Sequence, residues 1–219
     1  MSTLTVFGIE IPEGIHTLDT FREWVATLDE HAPRVHFYEG RVDLDMSPQH
    51  YRSHGPVVSG IAKRLASLAE EMDLGRYFIP PSWVTVEAAG LSTEPDGFLL
   101  KWASLTSGQV RVNPMRETEL LGRPDMVLEV VSKSSAKKDL VELPEAYARA
   151  GVPEYWIADA RGETLDFRIL VLASDGSYHA QSASADGWIE SPVWDHAFRL
   201  ERFLDRAGLV DFRLLVRGV

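Results

Sequence analysis

Asp125, Glu129 and Asp96 are the carboxylates in this sequence whose spacing could do chemistry. The run Arg123–Asp139, RPDMVLEVVSKSSAKKD, sets Asp125 and Glu129 around an apolar stretch and follows them with Lys133, Lys137 and Lys138. A glutamate flanked by Leu128 and Val130 in a buried strand is costly when ionised, unless it is paired or holds a metal. Asp125 and Glu129 share a strand face but stand ~13 Å apart along it, too far for a straight strand to place both on one ion. Glu129 therefore needs a partner from elsewhere. The run EPDGFLL supplies one, because Asp96 opens another strand-like segment. If that strand lies antiparallel to DMVLEVV, Asp96 comes to face Glu129 or its neighbours, and not Asp125. Two carboxylates on adjacent strands suit Mg²⁺, which takes one or two carboxylates and completes its shell with water and phosphate. Glu39 is a candidate third acidic residue.

Each of these residues also has a plainer use. Asp125 after Pro124 can cap or start a strand, and Asp96 after Pro95 can be a turn residue. Glu129 can be half of a structural ion pair with one of the lysines. The lysines of KSSAKK can be solvated surface. His50 and His54 stand four apart, a spacing that could put a metal pair on a helix. No third ligand accompanies them, and His54 reads either as a cleft residue at a helix start or as polar surface. There is no cysteine, which excludes disulfides, thiolate zinc and cysteine nucleophiles. No zincin motif, P-loop, dinucleotide fingerprint or GxSxG elbow occurs.

The elements that must position these groups follow from periodicity. A first helix starts near Thr17, with Thr20 and Glu23 at capping-box spacing and Phe21, Trp24, Val25 and Leu28 as its apolar stripe. RVHFYEGRVDLDMSP reads as a hairpin turning at Glu39-Gly40. A second helix runs from about Ser53 to Met72, with Gly75 as its C′ residue. RYFIP, SWVTVEA and DGFLLKWA read as strands, and AGLSTEPD as a turn-rich link. DMVLEVV is the best buried strand, being short, apolar and β-branched. AKKDLVELPEAYARAG reads as a helix ending at Gly151, in which Pro144 marks a kink or the true start. EYWIADA and TLDFRILVL are strands joined at Arg161-Gly162, and the rest reads as hairpins. The expectation is a mixed α/β domain.

The 219 residues suit a single domain over 1–219 with a sizeable core. Hydrophobic content of 45% and charged content of 25% are those of an ordinary globular protein. No secretory leader pattern and no bilayer-length apolar run is evident, so no membrane association and a cytoplasmic location are the simplest reading. The net charge of −11 counts against easy nucleic-acid binding without excluding one basic groove.

The segment RPDMVLEVVSKSS…KDLVELPEAYARAGVPEYWIADAR resembles the bacterial Uma-two family of restriction-endonuclease-like proteins, within the PD-(D/E)xK nuclease superfamily. The matching features are Pro124-Asp125, Glu129-Val130, Ser132 to Ser135, Tyr147 to Val152 and Glu154 to Asp159. Earlier in the chain, Tyr38 to Pro48, His54 and Glu94 to Asp96 match as well. The resemblance covers roughly 17–171, leaving 172–219 as a C-terminal β extension. It implies a restriction-endonuclease-like core, a mixed central sheet flanked by helices with additional hairpins. It also implies a metal-dependent endonuclease acting on nucleic acid, DNA before RNA, with Mg²⁺ or Mn²⁺ as cofactor. A homodimer is the default for cleaving both strands of a duplex. Carried over by position, Asp96 and Glu129 become metal ligands and catalytic residues, Glu39 and Asp125 additional acids, and His54 a cleft residue. The superfamily lysine two residues after the Glu is Val131 here. The alternative family position, four residues before the Tyr, is Leu143. Lys138 and Lys133 are the replacements at hand. Without such a lysine the alternative is a catalytically degenerate nuclease fold that binds nucleic acid or protein.

Overall fold

The computed structural model describes residues 3–6, 9–28, 34–45, 54–80 and 82–218. The chain opens with a small hairpin, β1 (Thr3–Val6) and β2 (Ile9–Pro12), followed by α1 (Leu18–Val25). The capping box of α1 lies one turn earlier than the Thr20/Glu23 spacing suggests. Thr17 is the N-cap. Its hydroxyl accepts the Thr20 N–H, and the Thr20 hydroxyl accepts the Thr17 N–H in return. The motif needs only a side-chain oxygen within reach, which a threonine supplies. Phe21, Trp24 and Val25 are buried as the stripe predicts.

β3 (Arg34–Tyr38) and β4 (Arg41–Asp45) form the expected hairpin. Glu39 and Gly40 both take left-handed backbone, φ 53° and 70°, the turn whose twist matches that of the strands it joins. α2 (His54–Glu71) ends at Asp73, φ 47°, and not at Gly75. The Leu74 N–H bonds Ala69 O and the Asp73 N–H bonds Glu70 O, which closes the last turn. Gly75 instead opens β5 (Gly75–Phe78), where a β-carbon would collide with the Leu100 carbonyl of the neighbouring strand. His50, the companion offered for His54, lies outside the described residues.

β6 (Trp83–Val86), a 3₁₀ turn and β7 (Leu91–Thr93) follow, the last within a stretch that reads as loop. β8 (Gly97–Lys101) stops before Trp102, and α3 (Trp102–Thr106) replaces the expected end of that strand. Asp125 is the cause. Its carboxylate accepts the Lys101 N–H at 2.7 Å and the Ser104 hydroxyl at 2.8 Å, which tethers the turn. β9 (Arg111–Asn113) and β10 (Arg116–Leu121) form a hairpin with no alternating pattern to announce it. Then come β11 (Met126–Val130), a π-helical turn (Lys138–Glu142), α4 (Leu143–Arg149), β12 (Glu154–Asp159) and β13 (Asp166–Leu172). β14 (Tyr178–Ala180), β15 (Ile189–Ser191), β16 (His196–Leu204) and β17 (Val210–Gly218) complete the chain.

The main sheet has the order β14-β13-β12-β11-β8-β5. β11 sits inside it, buried at every residue, parallel to β12 and antiparallel to β8. A second sheet has the order β4-β3-β7-β6-β10-β9, and β15-β16-β17 form a third. Met126, Leu128 and Val130 face one core with α2 and the β15–β17 sheet. Val127 and Val131 face the other, with α4 and the second sheet. Glu129 shares the parity of Val127 and Val131, so it points to the side where the second sheet and α4 meet. Among the described residues, no helix is long and apolar enough to cross a membrane.

Candidate active site

The chain leaves the second sheet at Thr93 and enters the main sheet at Gly97, so Glu94-Pro95-Asp96 is the seam between them. The β8–β11 register pairs Leu128 with Gly97, and one step further sets Glu129 across from Asp96. Asp96 Oδ2 accepts the Val130 N–H at 2.9 Å and lies 3.0 Å from His54 Nε2, at the first residue of α2. Its Oδ1 accepts from Arg34, at the start of β3, at 2.9 Å. Glu129 Oε1 accepts the Tyr147 hydroxyl of α4 at 3.2 Å, and Thr93 Oγ1 lies 2.7 Å from that hydroxyl.

A buried lysine comes from the segment ahead of α4. Ser132 and Ser135 cap it reciprocally: the Ser135 N–H donates to Ser132 Oγ at 3.0 Å and the Ser132 N–H to Ser135 Oγ at 2.9 Å. The Ser-rich turn is thus a helix start. The next turn is π-helical, and the Leu143 N–H bonds Lys138 O, five residues back. The extra residue lets Pro144 sit in the first turn of α4, where its ring would otherwise meet a carbonyl four residues earlier. Lys138 therefore lies one turn before Leu143. It is buried, with Nζ 3.1 Å from Asp139 Oδ1, and Asp139 is buried too.

The charges are closely balanced. Burial opposes ionisation of Asp96, but the His54 hydrogen bond and charge and the Arg34 guanidinium hold its carboxyl down to about 2. Burial pushes Glu129 well above the usual carboxylate range; Asp139 and Asp96 push the same way, while Lys138 and Arg34 oppose. Asp139 is raised by burial against the pull of Lys138 and Ser135. His36, on the same face of β3 as Arg34, is held well below its usual range by burial, then by Lys138 and Arg34.

Beside Lys138 opens a cleft of about 300 Å³ between the β3–β4 hairpin and the Ser132–Glu142 segment. Tyr38, Arg41, Ser134 and Lys137 line it with Lys138, whereas Asp96 and Glu129 do not. Glu142 on its wall accepts from the Tyr38 hydroxyl at 2.8 Å and from Lys137 at 2.6 Å.

Of the residues singled out in the sequence, Asp96, Glu129, Lys138 and His54 come together. Lys133 is exposed. Glu39 stays in its turn, paired with Arg41 at 3.1 Å and Arg149 at 3.3 Å. Asp125 stands at the far end of β11, occupied by Lys101 and Ser104. Val131 and Leu143, where the resemblance leads one to look for lysine, are apolar core. Arg34, His36, Asp139 and the Tyr147–Glu129 bond were not foreseen. Asp139 had a signal, since it adjoins Lys138, but Arg34 is 62 residues from Asp96 with nothing local to mark it.

The donor set is one of hard oxygens, which suits Mg²⁺ or Mn²⁺. Among the described residues no three His, Asp or Glu side chains converge to enclose a cation.

No curated protein matches the sequence. A crystal structure from Anabaena variabilis, described as a "putative nuclease belonging to DUF820", shares the fold with a TM-score of 0.60. The match covers 81% of this chain and 90% of the other at 18% identity, so the likeness is one of fold. The Uma2 family, described as "Putative restriction endonuclease", matches residues 18–200. With most of its length inside that match, the chain belongs to the Uma2 family.

Proposed function

We propose that the protein is a Mg²⁺- or Mn²⁺-dependent endonuclease that hydrolyses phosphodiester bonds in nucleic acid, DNA in the first instance. The observation that carries this reading is Lys138, a buried lysine 3.1 Å from Asp139, near enough for its charge to act on Glu129, and one π-turn ahead of Leu143. A buried ammonium beside carboxylates whose ionised forms burial disfavours is an arrangement that clusters at functional sites and supports this reading. Asp96 and Glu129 would hold the ion, and Tyr147 fixes the Glu129 carboxylate. The ion, when bound, supplies Lewis acidity toward water and the departing oxygen. Lys138 orients the attacking water and offsets charge developing on the phosphate. Arg34 keeps Asp96 ionised and is a second cation for that charge. Lys133 ranks behind Lys138 because of its exposure, and a homodimer would place two such sites on a duplex.

A second reading has one observation in its favour. Arg34 and His54 already engage both oxygens of Asp96, as in a site that has exchanged metal for an internal cation. The protein would then be a catalytically degenerate nuclease fold that binds nucleic acid or protein. Millimolar Mn²⁺ separates the two. The nuclease reading expects a higher Tm with metal and nicking of supercoiled plasmid, both lost in Glu129→Gln. A wild-type protein with neither response belongs to the second reading.

A further inference from the structure

We propose that His36 donates a hydrogen bond from its Nε2–H to a non-bridging oxygen of the scissile phosphodiester, beside Lys138. His36 lies in β3 and is 1% exposed. Val35 and Phe37 pack into the core around α1, so Arg34, His36 and Tyr38 share the opposite face of the strand. On one side of His36, Arg34 reaches Asp96 at 2.9 Å. On the other, Tyr38 reaches Glu142 on the cleft wall at 2.8 Å. The imidazole thus stands between the Asp96 carboxylate and the cleft. The charges that act on it are Lys138, which lines that cleft, Arg34 and Asp96.

The backbone selects which ring nitrogen carries the proton. The Glu94 N–H donates to His36 Nδ1 at 3.4 Å, so the ring proton lies on Nε2. That nitrogen is buried, and no group among the described residues accepts from it. A buried donor left unpaired costs free energy, and a ligand oxygen that enters the site removes the cost. Other unpaired nitrogens occur in β16, at Arg199 Nε and Arg202 Nε. Both of those side chains donate through their remaining guanidinium N–H groups. His36 has no second donor, and its one donor is beside the carboxylates.

A donor in this place selects its oxygen. The attacking water must release a proton and is served by acceptors, which Asp96, Glu129 and Asp139 already supply. A non-bridging phosphate oxygen only accepts, and it gains charge as the water adds. Burial, Lys138 and Arg34 disfavour a charged imidazole, so His36 keeps its proton and does not pass it on. Its N–H adds a directed bond without setting a third cation against Lys138 and Arg34. The inference rests on the nuclease reading, and gives that site a phosphate contact that uses none of the residues assigned to the metal.

Two substitutions separate the ring nitrogens. His36→Gln carries an amide N–H to the place of Nε2, whereas His36→Asn keeps a polar atom at the place of Nδ1 for Glu94 and nothing at Nε2. In plasmid nicking with Mn²⁺, His36→Asn is expected to lower kcat by about 10²–10³-fold with KM little changed, and His36→Gln to recover most of that loss. A second readout is the ¹⁵N-histidine spectrum of the wild-type protein with Mg²⁺ and a phosphorothioate duplex that resists cleavage. The His36 signal is expected to be that of an Nε2–H ring, and its proton to move downfield as duplex binds. This spectrum decides if either variant fails to fold. Equal kcat in the two variants, or an active His36→Asn beside an impaired His36→Gln, overturns the proposal. So does a His36 signal that stays in place with duplex bound. A signal that moves in a protein that nicks no plasmid supports the phosphate contact while removing the nuclease reading. A wild-type protein that binds no duplex removes both.

Discussion

Asp96 accepts the backbone N–H of Val130 through Oδ2 at 2.9 Å, so a side chain completes the ladder between β8 and β11. The bond does two things. It satisfies a buried donor where β8 has already turned away, and it fixes one carboxylate of the candidate site against the strand that carries the other. Position and sheet integrity are therefore set by the same atom.

Glu129 is the first residue to test. Burial and the nearby Asp139 and Asp96 disfavour its ionised form, so Glu129→Gln relieves the apo protein of that cost. Urea unfolding in EDTA is expected to give the variant equal or greater stability, while its Tm no longer responds to Mn²⁺. Lys138 keeps Asp139 as a partner at 3.1 Å and is not stranded by the change. If Glu129 served as a structural ion-pair partner instead, the same experiment would show a loss of ~3–5 kcal/mol.

Lys138→Met removes the cation set directly among the buried carboxylates. We expect a stability loss of ~3–5 kcal/mol near neutral pH. Plasmid cleavage should fall by about 10²–10⁴-fold, the range for loss of a group that assists proton transfer. Lys133→Ala, at an exposed position, should stay within ~0.5 kcal/mol of wild type and cleave normally. Parallel denaturation and nicking assays on the two variants check the assignment; comparable cleavage by both would point away from Lys138.

The serine turn predicts a smaller, indirect effect. Ser132→Ala removes one half of the reciprocal cap, costing about 1 kcal/mol, and loosens the segment that carries Lys138. Cleavage is expected to drop by more than the stability loss accounts for, and Ser132→Thr, which keeps the capping oxygen, should restore most of it. Equal behaviour of the Ala and Thr variants would separate the cap from the positioning of Lys138.

Glu119 gives an acid-sensitivity prediction away from the site. Burial opposes its ionisation, but the Thr85, Asn113 and Arg22 hydrogen bonds prevail and hold its carboxyl below the usual range. A folded-state pKa below the unfolded one stabilises the protein above the unfolded value, near 4.3, and that stabilisation is lost as pH falls through the folded one. Glu119→Gln should therefore cost about 1–3 kcal/mol at pH 7, with the gap to wild type closing below about pH 4. Urea titrations at pH 7 and pH 3.5 measure it. A gap that widens in acid would contradict the assigned direction.

The sequence by itself determined the strand DMVLEVV, the hairpin at Glu39-Gly40 and the second helix. Each is written in local pattern: β-branched apolar runs, alternation, a turn pair able to take left-handed backbone, and helical periodicity. Tertiary structure decided which polar residues share the site. Three lysines stand within six residues, and only the π-turn, itself a consequence of Pro144 and the Ser132–Ser135 cap, brings Lys138 inside and leaves Lys133 outside. Asp125 and Glu129 look alike in the sequence, yet one terminates β8 and the other faces Asp96. Arg34 and His36 reach the site because the second sheet, built largely from strands of three to five residues, lays β3 beside the seam at Asp96. Contacts of that kind join residues far apart in the chain, and no local propensity records them.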